Sequence, residues 1–412
     1  MYIPLVIITQ NMGHHHLQRS VSMQNFVFEN PTKIIFGKNR IEKVGEEVKR
    51  FGTKVLFVYG QSSIKNNGVY DRIIASLQEA GIAVVEFGGV KSNPVLSHAL
   101  KGIELARSEK TDVVLAAGGG SVMDTAKTIA VGATAPLDQD VWDFFTFKQR
   151  IKAALPIVTV VTVSASASEM NAAAVITRED TSQKYTIQSP FIQPKTSILD
   201  PTMLFTLSHH YSAYSTVDAI THMLEGYFNN TEPMSALQDR LVEGLTHTLM
   251  ESISTILQDP HNYDARATTM WAVVLAFNGL TTAGMGRIAF PAHMIEHSLS
   301  ALYDIAHGAG LSIVLPAWMK YAARLNPAKF ARFARQIFNT GHTDEMSAAL
   351  DGIEGLKDFF ASIGSPVSLK DADIPRADIE NIADNAAGTA RLWGMRSYTR
   401  EVIAEILTLS AE

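Results

Sequence analysis

One contrast constrains this chain more than any other feature. Short apolar runs alternate with helix-periodic segments up to about Leu199, and beyond Asp200 such runs nearly vanish. KVLFVYG (Lys54–Gly60), IAVVEFGG (Ile82–Gly89), DVVLAAGGG (Asp112–Gly120) and IVTVVTVSA (Ile157–Ala165) are aliphatic runs too short for helices, and each reads as a buried strand. Between them, GVYDRIIASLQEAG (Gly68–Gly81), SHALKGIELARSEK (Ser97–Lys110) and SVMDTAKTIAVGA (Ser121–Ala133) show helical spacing. Buried strands alternating with helices predict a parallel sheet covered on both faces.

After Asp200-Pro201 come long amphipathic stretches: Ser212–Tyr227, Pro233–Leu257, Tyr263–Gly284, Pro291–Leu302, Ala309–Leu325 and Pro327–Phe338. They predict an all-helical second half. The 412 residues therefore divide into an α/β unit over 23–199 and a helical unit over 200–412. Residues 1–22 belong to neither. Their apolar start lacks a basic leader and runs into His14, His15 and His16, which reads as a tag-like or disordered extension rather than a secretory signal, with the functional start near Met23.

Composition matters here mainly for what it removes. The chain has no cysteine, which excludes disulfides, thiol nucleophiles, iron–sulfur clusters and every Cys-containing zinc site. It also fits a reducing compartment, so a cytoplasmic location is expected. A net charge of −6 leaves no basic footprint for nucleic acid. No run reaches the roughly 18 apolar residues of a membrane span.

Two constellations carry chemistry. The first is Gly118-Gly119-Gly120-Ser121, which follows a strand and opens a helix. Free backbone N–H groups at a helix start suit an anionic phosphate, and glycines let it approach closely. It is neither GxGxxG nor a P-loop. Asp124 lies one turn on, where it serves either the cofactor or the helix dipole. The first long strand ends Gly60-Gln61-Ser62-Ser63, neutral groups with Lys65 nearby. An acid there would hold a ribose 2′-OH and repel a 2′-phosphate, so its absence favours NADP(H) over NAD(H).

The second constellation is Asp218 with His222, one helical turn apart, and His293 with His297 at the same spacing, followed by His307. Carboxylate and imidazoles on helices suit a divalent first-row metal, Fe²⁺ or Zn²⁺. Five candidates are more than a four-ligand site needs, and spacing alone does not say which one is spare.

These residues resemble the group III, iron-containing alcohol dehydrogenases, in particular the bacterial NADPH-dependent aldehyde reductase and butanol dehydrogenase branch. The motifs are GGGSVMDTAK (Gly118–Lys127), SASASEMNAAAVIT (Ser164–Thr177), ILDP (Ile198–Pro201), VDAITHMLEGY (Val217–Tyr227) and HMIEHSLSALYDIAHG (His293–Gly308). The resemblance implies a Rossmann-like dinucleotide-binding domain over 23–199 and a helical metal-binding domain over 200–412, in the dehydroquinate synthase-like arrangement. It implies Asp218, His222, His293 and His307 as metal ligands and His297 as the spare histidine, a proton relay beside the substrate. Gly119, Gly120 and Ser121 would meet the pyrophosphate, with Asp124 near. Asn93, Thr162, Ser166 and Lys184 match cofactor-contacting positions, Ser63 falls where the NADP branch meets the 2′-phosphate, and Gly60 and Ser62 are expected to bind the cofactor beside it.

The reaction so implied is hydride transfer between nicotinamide C4 and a small aldehyde or primary alcohol, the metal polarising the carbonyl oxygen. A homodimer is expected. A glycerol dehydrogenase-like or other polyol-acting member of the wider superfamily shares the scheme and is the alternative. One departure stands out. The family's usual Gly in the Pro-Ala-Thr-Gly-Ser-Glu stretch is Ala167 here, which tightens that loop.

Overall fold

The computed structural model describes residues 24–229 and 236–411. The extension over 1–22, with its histidine run, and the expected start at Met23 lie outside the described residues. The first half holds strands β1 (Lys33–Phe36), β2 (Lys54–Tyr59), β3 (Ala83–Phe87), β4 (Val113–Gly118), β5 (Ile157–Val161), β6 (Ala173–Arg178), β7 (Gln183–Gln188) and β8 (Thr196–Leu199). Its helices are α1 (Val44–Lys49), α2 (Ser63–Asn66), α3 (Val69–Glu79), α4 (Leu96–Ser108), α5 (Gly120–Thr134) and α6 (Trp142–Phe145).

Six strands form one parallel sheet in the order β1-β8-β5-β4-β2-β3, and β6 and β7 form a separate antiparallel hairpin. The central strands are apolar throughout because both their faces are covered. On one face, Leu56, Val58, Val114 and Ala116 meet α4 and α5. On the other, Val55, Phe57, Leu115 and Val160 meet α1 and α3. The expected parallel sheet is therefore present, but the aliphatic runs marked only four of its six strands. β1 and β8 are four residues each, too short to show a pattern, and the hairpin strands carry polar residues on their open side.

The chain runs from β2 out to β3, then crosses back to place β4 on the other side of β2. That reversal opens a crevice at the carboxyl ends of β2 and β4, where open α/β sheets receive ligands. Tyr59 pairs with Ala117, so Gly60 and Gly118 stand at one level across it.

Beyond β8, every longer element among the described residues is a helix: α7 (His209–Phe228), α8 (Ala236–Gln258), α9 (Tyr263–Ala276), α10 (Pro291–Tyr303), α11 (His307–Ala323), α12 (Pro327–Ile337), α13 (Glu345–Ser362), α14 (Ile379–Leu392) and α15 (Arg400–Thr408). Their shared core includes Ile220, Leu224, Ile295, Leu299, Ile313, Trp318 and Ile353. Side-chain caps start several of them: Ser208 for α7, Asn262 for α9, Asp344 for α13 and Thr399 for α15.

One expected helix is corrected. The stretch Tyr263–Gly284 is helical only to Ala276. Asn278 Oδ1 then accepts from the Leu280 N–H at 2.9 Å, and Gly279 takes a φ of +94°, so the backbone turns instead of continuing. Helix α9 also departs from a clean division at residue 200. Its Met270 and Val274 pack into the core on the α4/α5 side of the sheet.

Helices α7 and α11 meet very closely. A Cβ on Gly308 would lie 2.2 Å from the Tyr214 backbone oxygen, so only glycine lets α11 start where it does. Gly308→Ala is expected to lower unfolding stability by about 1–3 kcal/mol, the usual cost of forced overpacking. It should also displace His307, the first residue of α11, and a lowered melting temperature checks the packing cost.

Candidate metal centre and cofactor crevice

Helix α7 is buried along nearly its whole length, so its polar interior residues face partners rather than water. Asp218 and His222 lie one turn apart on it, and Nδ1 of His222 stands 3.0 Å from Asp218 Oδ1 and 3.0 Å from the Asp218 carbonyl oxygen. Helix α10 brings His293, whose Nε2 is 3.7 Å from the same Oδ1. Helix α11 contributes its first residue, His307, with Nε2 at 3.8 Å from that oxygen. Asp218, His222 and His293 thus form one close donor group, and Glu296, His297 and His307 form a second beside it. Of the five residues singled out in the sequence, the geometry brings four around one carboxylate oxygen. His297 sits apart, its Nδ1 3.0 Å from the Lys184 carbonyl oxygen and Trp393 edge-on to its ring.

Two carboxylates escaped the sequence reading. Glu225 Oε2 holds His293 Nδ1, and Glu296 Oε2 holds His307 Nδ1, both in short contacts. Both acids are wholly buried. Each grip fixes the imidazole so that Nε2 points inward, which is how carboxylates orient metal-binding histidines. A signal was available: Glu225 follows Asp218 by seven residues, two turns along the same buried helix face.

Charge follows this geometry. Burial opposes ionisation of Asp218, yet the neighbouring His222, His293 and His307 overcome it and hold the carboxyl well below the usual range. Burial likewise opposes a proton on His293, but Glu225 and Asp218 raise its pKa to about 10. Glu296 is lowered to about 2, because His307 and Lys184 outweigh its burial. His222 is pushed down by burial and by His293.

Two atoms make the test of fit. Asp218 Oδ1 and His293 Nε2 are buried without any hydrogen-bond partner, although buried polar atoms are almost always paired. A carboxylate oxygen and imidazole nitrogens converging at 3.7–3.8 Å, without hydrogen bonding each other, suit a shared cation. The residues present therefore fit a divalent metal.

The crevice between β2 and β4 holds the other expected residues. A Cβ on Gly120 would lie 2.4 Å from Ser166 Oγ, and one on Gly119 would lie 2.9 Å from Val163 Cβ, so side chains at either position would fill the cradle. Ser121 Oγ donates to the Ser92 carbonyl. The Thr162 N–H bonds the Gly118 carbonyl at 3.0 Å, tying β5 to the cradle. Ala167 occupies the left-handed region with φ 48°, a conformation that glycine adopts more easily. Asn93 and Lys184 meet where the crevice reaches the metal centre, Lys184 Nζ donating to Asn93 Oδ1 at 3.2 Å.

Asp124 turns inward. Its Oδ1 accepts from Ser168 Oγ at 2.7 Å and its Oδ2 from the Val175 N–H at 3.0 Å. The carboxylate thus links α5 to β6, a part for which the helix-dipole reading made no provision. At the β2 end, Gly60 accepts from the Gly89 N–H at 2.8 Å, and Ser62 and Ser63 are exposed. Lys65 stands 3.6 Å from Glu86 of β3, which also accepts from Tyr59 and Tyr70. The neighbouring strand thus brings a carboxylate within reach of Lys65, with its side chain held by two tyrosines.

The sequence matches the family described as iron-containing alcohol dehydrogenase over residues 31–201, and that family's C-terminal domain over residues 212–411. The chain belongs to the iron-containing alcohol dehydrogenase family. It is 41% identical to a probable NADH-dependent butanol dehydrogenase of Bacillus subtilis, over 94% of this chain and 100% of that one. It is 37% identical to an NADPH-dependent aldehyde reductase of Escherichia coli, over 87% of this chain and 91% of that one. Among solved structures, an NADH-dependent butanol dehydrogenase A of Thermotoga maritima superposes with a TM-score of 0.90 at 46% identity, covering 95% of this chain and 99% of that one. Family membership makes the chain an oxidoreductase of the alcohol dehydrogenase type, with a nicotinamide cofactor and a divalent metal. Among the described residues no helix is long and apolar enough to cross a membrane.

Glu225 and Asp218 keep a proton on His293 up to about pH 10, and were this ring to take a metal, which needs the neutral form, that proton would have to leave. Apparent metal affinity should therefore rise about tenfold per pH unit from neutrality towards pH 10. Titrating the metal-free protein with Zn²⁺ at several pH values checks the slope. Glu225→Gln should flatten it and weaken binding roughly 10- to 100-fold.

Proposed function

We propose that the chain is a metal-dependent, NADP(H)-linked alcohol dehydrogenase that works in the cytoplasm as a reductase of small aldehydes and an oxidant of the matching primary alcohols. The observation that carries this reading is the pair of orphaned buried atoms, Asp218 Oδ1 and His293 Nε2, at the point where three helices converge. Asp218, His222, His293 and His307 are the residues that would hold the metal, and their oxygen and nitrogen donors accept either Fe²⁺ or Zn²⁺. When bound, the dication supplies Lewis acidity at a carbonyl oxygen and the nicotinamide supplies the hydride.

The chain's own residues supply position and the proton. Gly119, Gly120 and Ser121 cradle the pyrophosphate at the start of α5, with Thr162, Ser166, Asn93 and Lys184 along the crevice. Asp124 acts from behind, holding α5 against β6. His297 is the proton-handling group. The Lys184 carbonyl accepts from its Nδ1, which leaves Nε2 to exchange a proton. Burial and then Lys184 hold its pKa well below the ordinary value, so the ring is neutral and its Nε2 carries a lone pair rather than a proton. Phe277 and Phe290 stand against His222 and give an alkyl chain an apolar wall.

For the cofactor, the neutral Gly60–Ser63 turn with Ser62 and Ser63 exposed supports NADP(H). A second reading, NAD(H), is favoured by Glu86, whose carboxylate engages Lys65, the cation beside that turn. We take the chain as two units meeting at the cleft, 23–199 and 200–412, and as a homodimer. The edge strand β1 carries Phe36 packed on Trp271, both partly exposed, as an apolar margin for a second copy.

The test is an A340 assay with butyraldehyde, a polyol panel and both cofactors. Turnover of butyraldehyde, with a higher kcat/KM for NADPH than for NADH, is expected. A polyol preference favours the glycerol dehydrogenase-like alternative, and an NADH preference favours the Glu86 reading. His297→Ala should keep its metal and lose about 100-fold in kcat, the lower range for removing a general acid–base group.

A further inference from the structure

Lys184 belongs to the β6–β7 hairpin of the α/β unit, yet it is 5% exposed and lies against the metal centre of the helical unit. The hairpin is fixed there. Asn385 of α14 donates to the Ser182 carbonyl at 2.9 Å, and Tyr185 stacks on Trp142 at 5.3 Å. Lys184 then contacts the centre twice. Its carbonyl oxygen receives His297, and its ammonium stands 3.8 Å from Glu296 Oε2, the oxygen that grips His307. The same ammonium donates to Asn93 Oδ1, and Asn93 Nδ2 donates to Asp304 Oδ1 at 2.8 Å and to the Ile305 carbonyl at 3.1 Å, just ahead of His307.

The local charges explain why this matters. Asp218, Glu225 and Glu296 place three buried carboxylates on or directly behind the ligand set. Each makes the centre more attractive to a cation, and Glu296 does so through His307. A buried ammonium at close range opposes that attraction with little screening. The cofactor role implied for Lys184 does not account for this contact, because Glu296 faces the metal ligand and not the glycine cradle.

We propose that Lys184 is a positioning residue that loosens the centre's hold on its cation, its ammonium offsetting the charge of the Glu296 carboxylate clamped to His307. The inference rests on the metal reading above. A cation held less tightly by its ligands remains more electron-poor toward a carbonyl oxygen, so the lysine trades affinity for Lewis acidity. A lysine that only packed the hairpin, or only touched the cofactor, would leave cofactor-free metal affinity unchanged or weaken it.

The experiment measures Zn²⁺ affinity of the full, metal-free chain without cofactor, by competition with a chelator. Lys184→Met is expected to bind Zn²⁺ roughly tenfold more tightly than wild type, the order of effect of one nearby charge. Lys184→Arg should match wild type within about twofold, and adding Glu296→Gln to Lys184→Met should remove the gain. If Lys184→Met does not fold, Lys184→Gln keeps a donor for Asn93 and carries the same expectation. Unchanged or weaker binding in the folded neutral variant overturns the inference while the metal reading stands. Failure of the wild-type chain to bind Zn²⁺ overturns both.

Discussion

The site depends on keeping one carboxylate ionised beneath a helical core. Burying an anion costs several kcal/mol unless its surroundings compensate. Around Asp218 the compensation comes from imidazoles on three helices, two of which are held by further buried acids. The ties run in sequence: Glu225 of α7 to His293 of α10, then Glu296 of α10 to His307 of α11. None of the three helices can slide without breaking a buried charged contact. The same network therefore orders the centre and locks the packing, and Gly308 supplies the close approach that it requires.

The crevice in the sheet is a simpler consequence of topology. The reversal between β3 and β4 leaves the ends of β2 and β4 uncovered, and glycines at 118–120 keep that gap free of side chains. The hairpin β6–β7 closes one side and reaches the metal centre through Lys184 and its neighbours. Sheet and helices thus contribute to one site although they lie in different halves of the chain.

Legibility in the sequence followed burial. Strands β2, β4 and β5 were readable because both faces are covered and the runs are continuously apolar. β1 and β8 are too short to show a period, and the hairpin strands mix polar and apolar residues. Asp218, His222, His293 and His297 stood out through helical spacing and the absence of any thiol alternative, with His307 after them, and the family resemblance rather than spacing implied which of the five was spare. Glu225 and Glu296 did not, since an acid within a helix ordinarily reads as a solvated one, and only packing shows that these face inward. The inward contacts of Asp124 and those of Glu86 were unreadable for a related reason. The partners that define them come from β6 and from an adjacent strand, and no local window contains both sides of such a contact.

Helix α9 gives the two-unit description a further meaning. Its Met270 and Val274 are fully buried in the core beside the sheet, next to Leu199 and Leu204. One end of the cleft is thereby sewn shut by apolar packing, while the other end is spanned by polar contacts such as Asn93 to Asp304. The two halves of the chain are therefore joined by contacts of two kinds, apolar packing at α9 and hydrogen bonds at Asn93, and only the second kind can be exchanged for bonds to water.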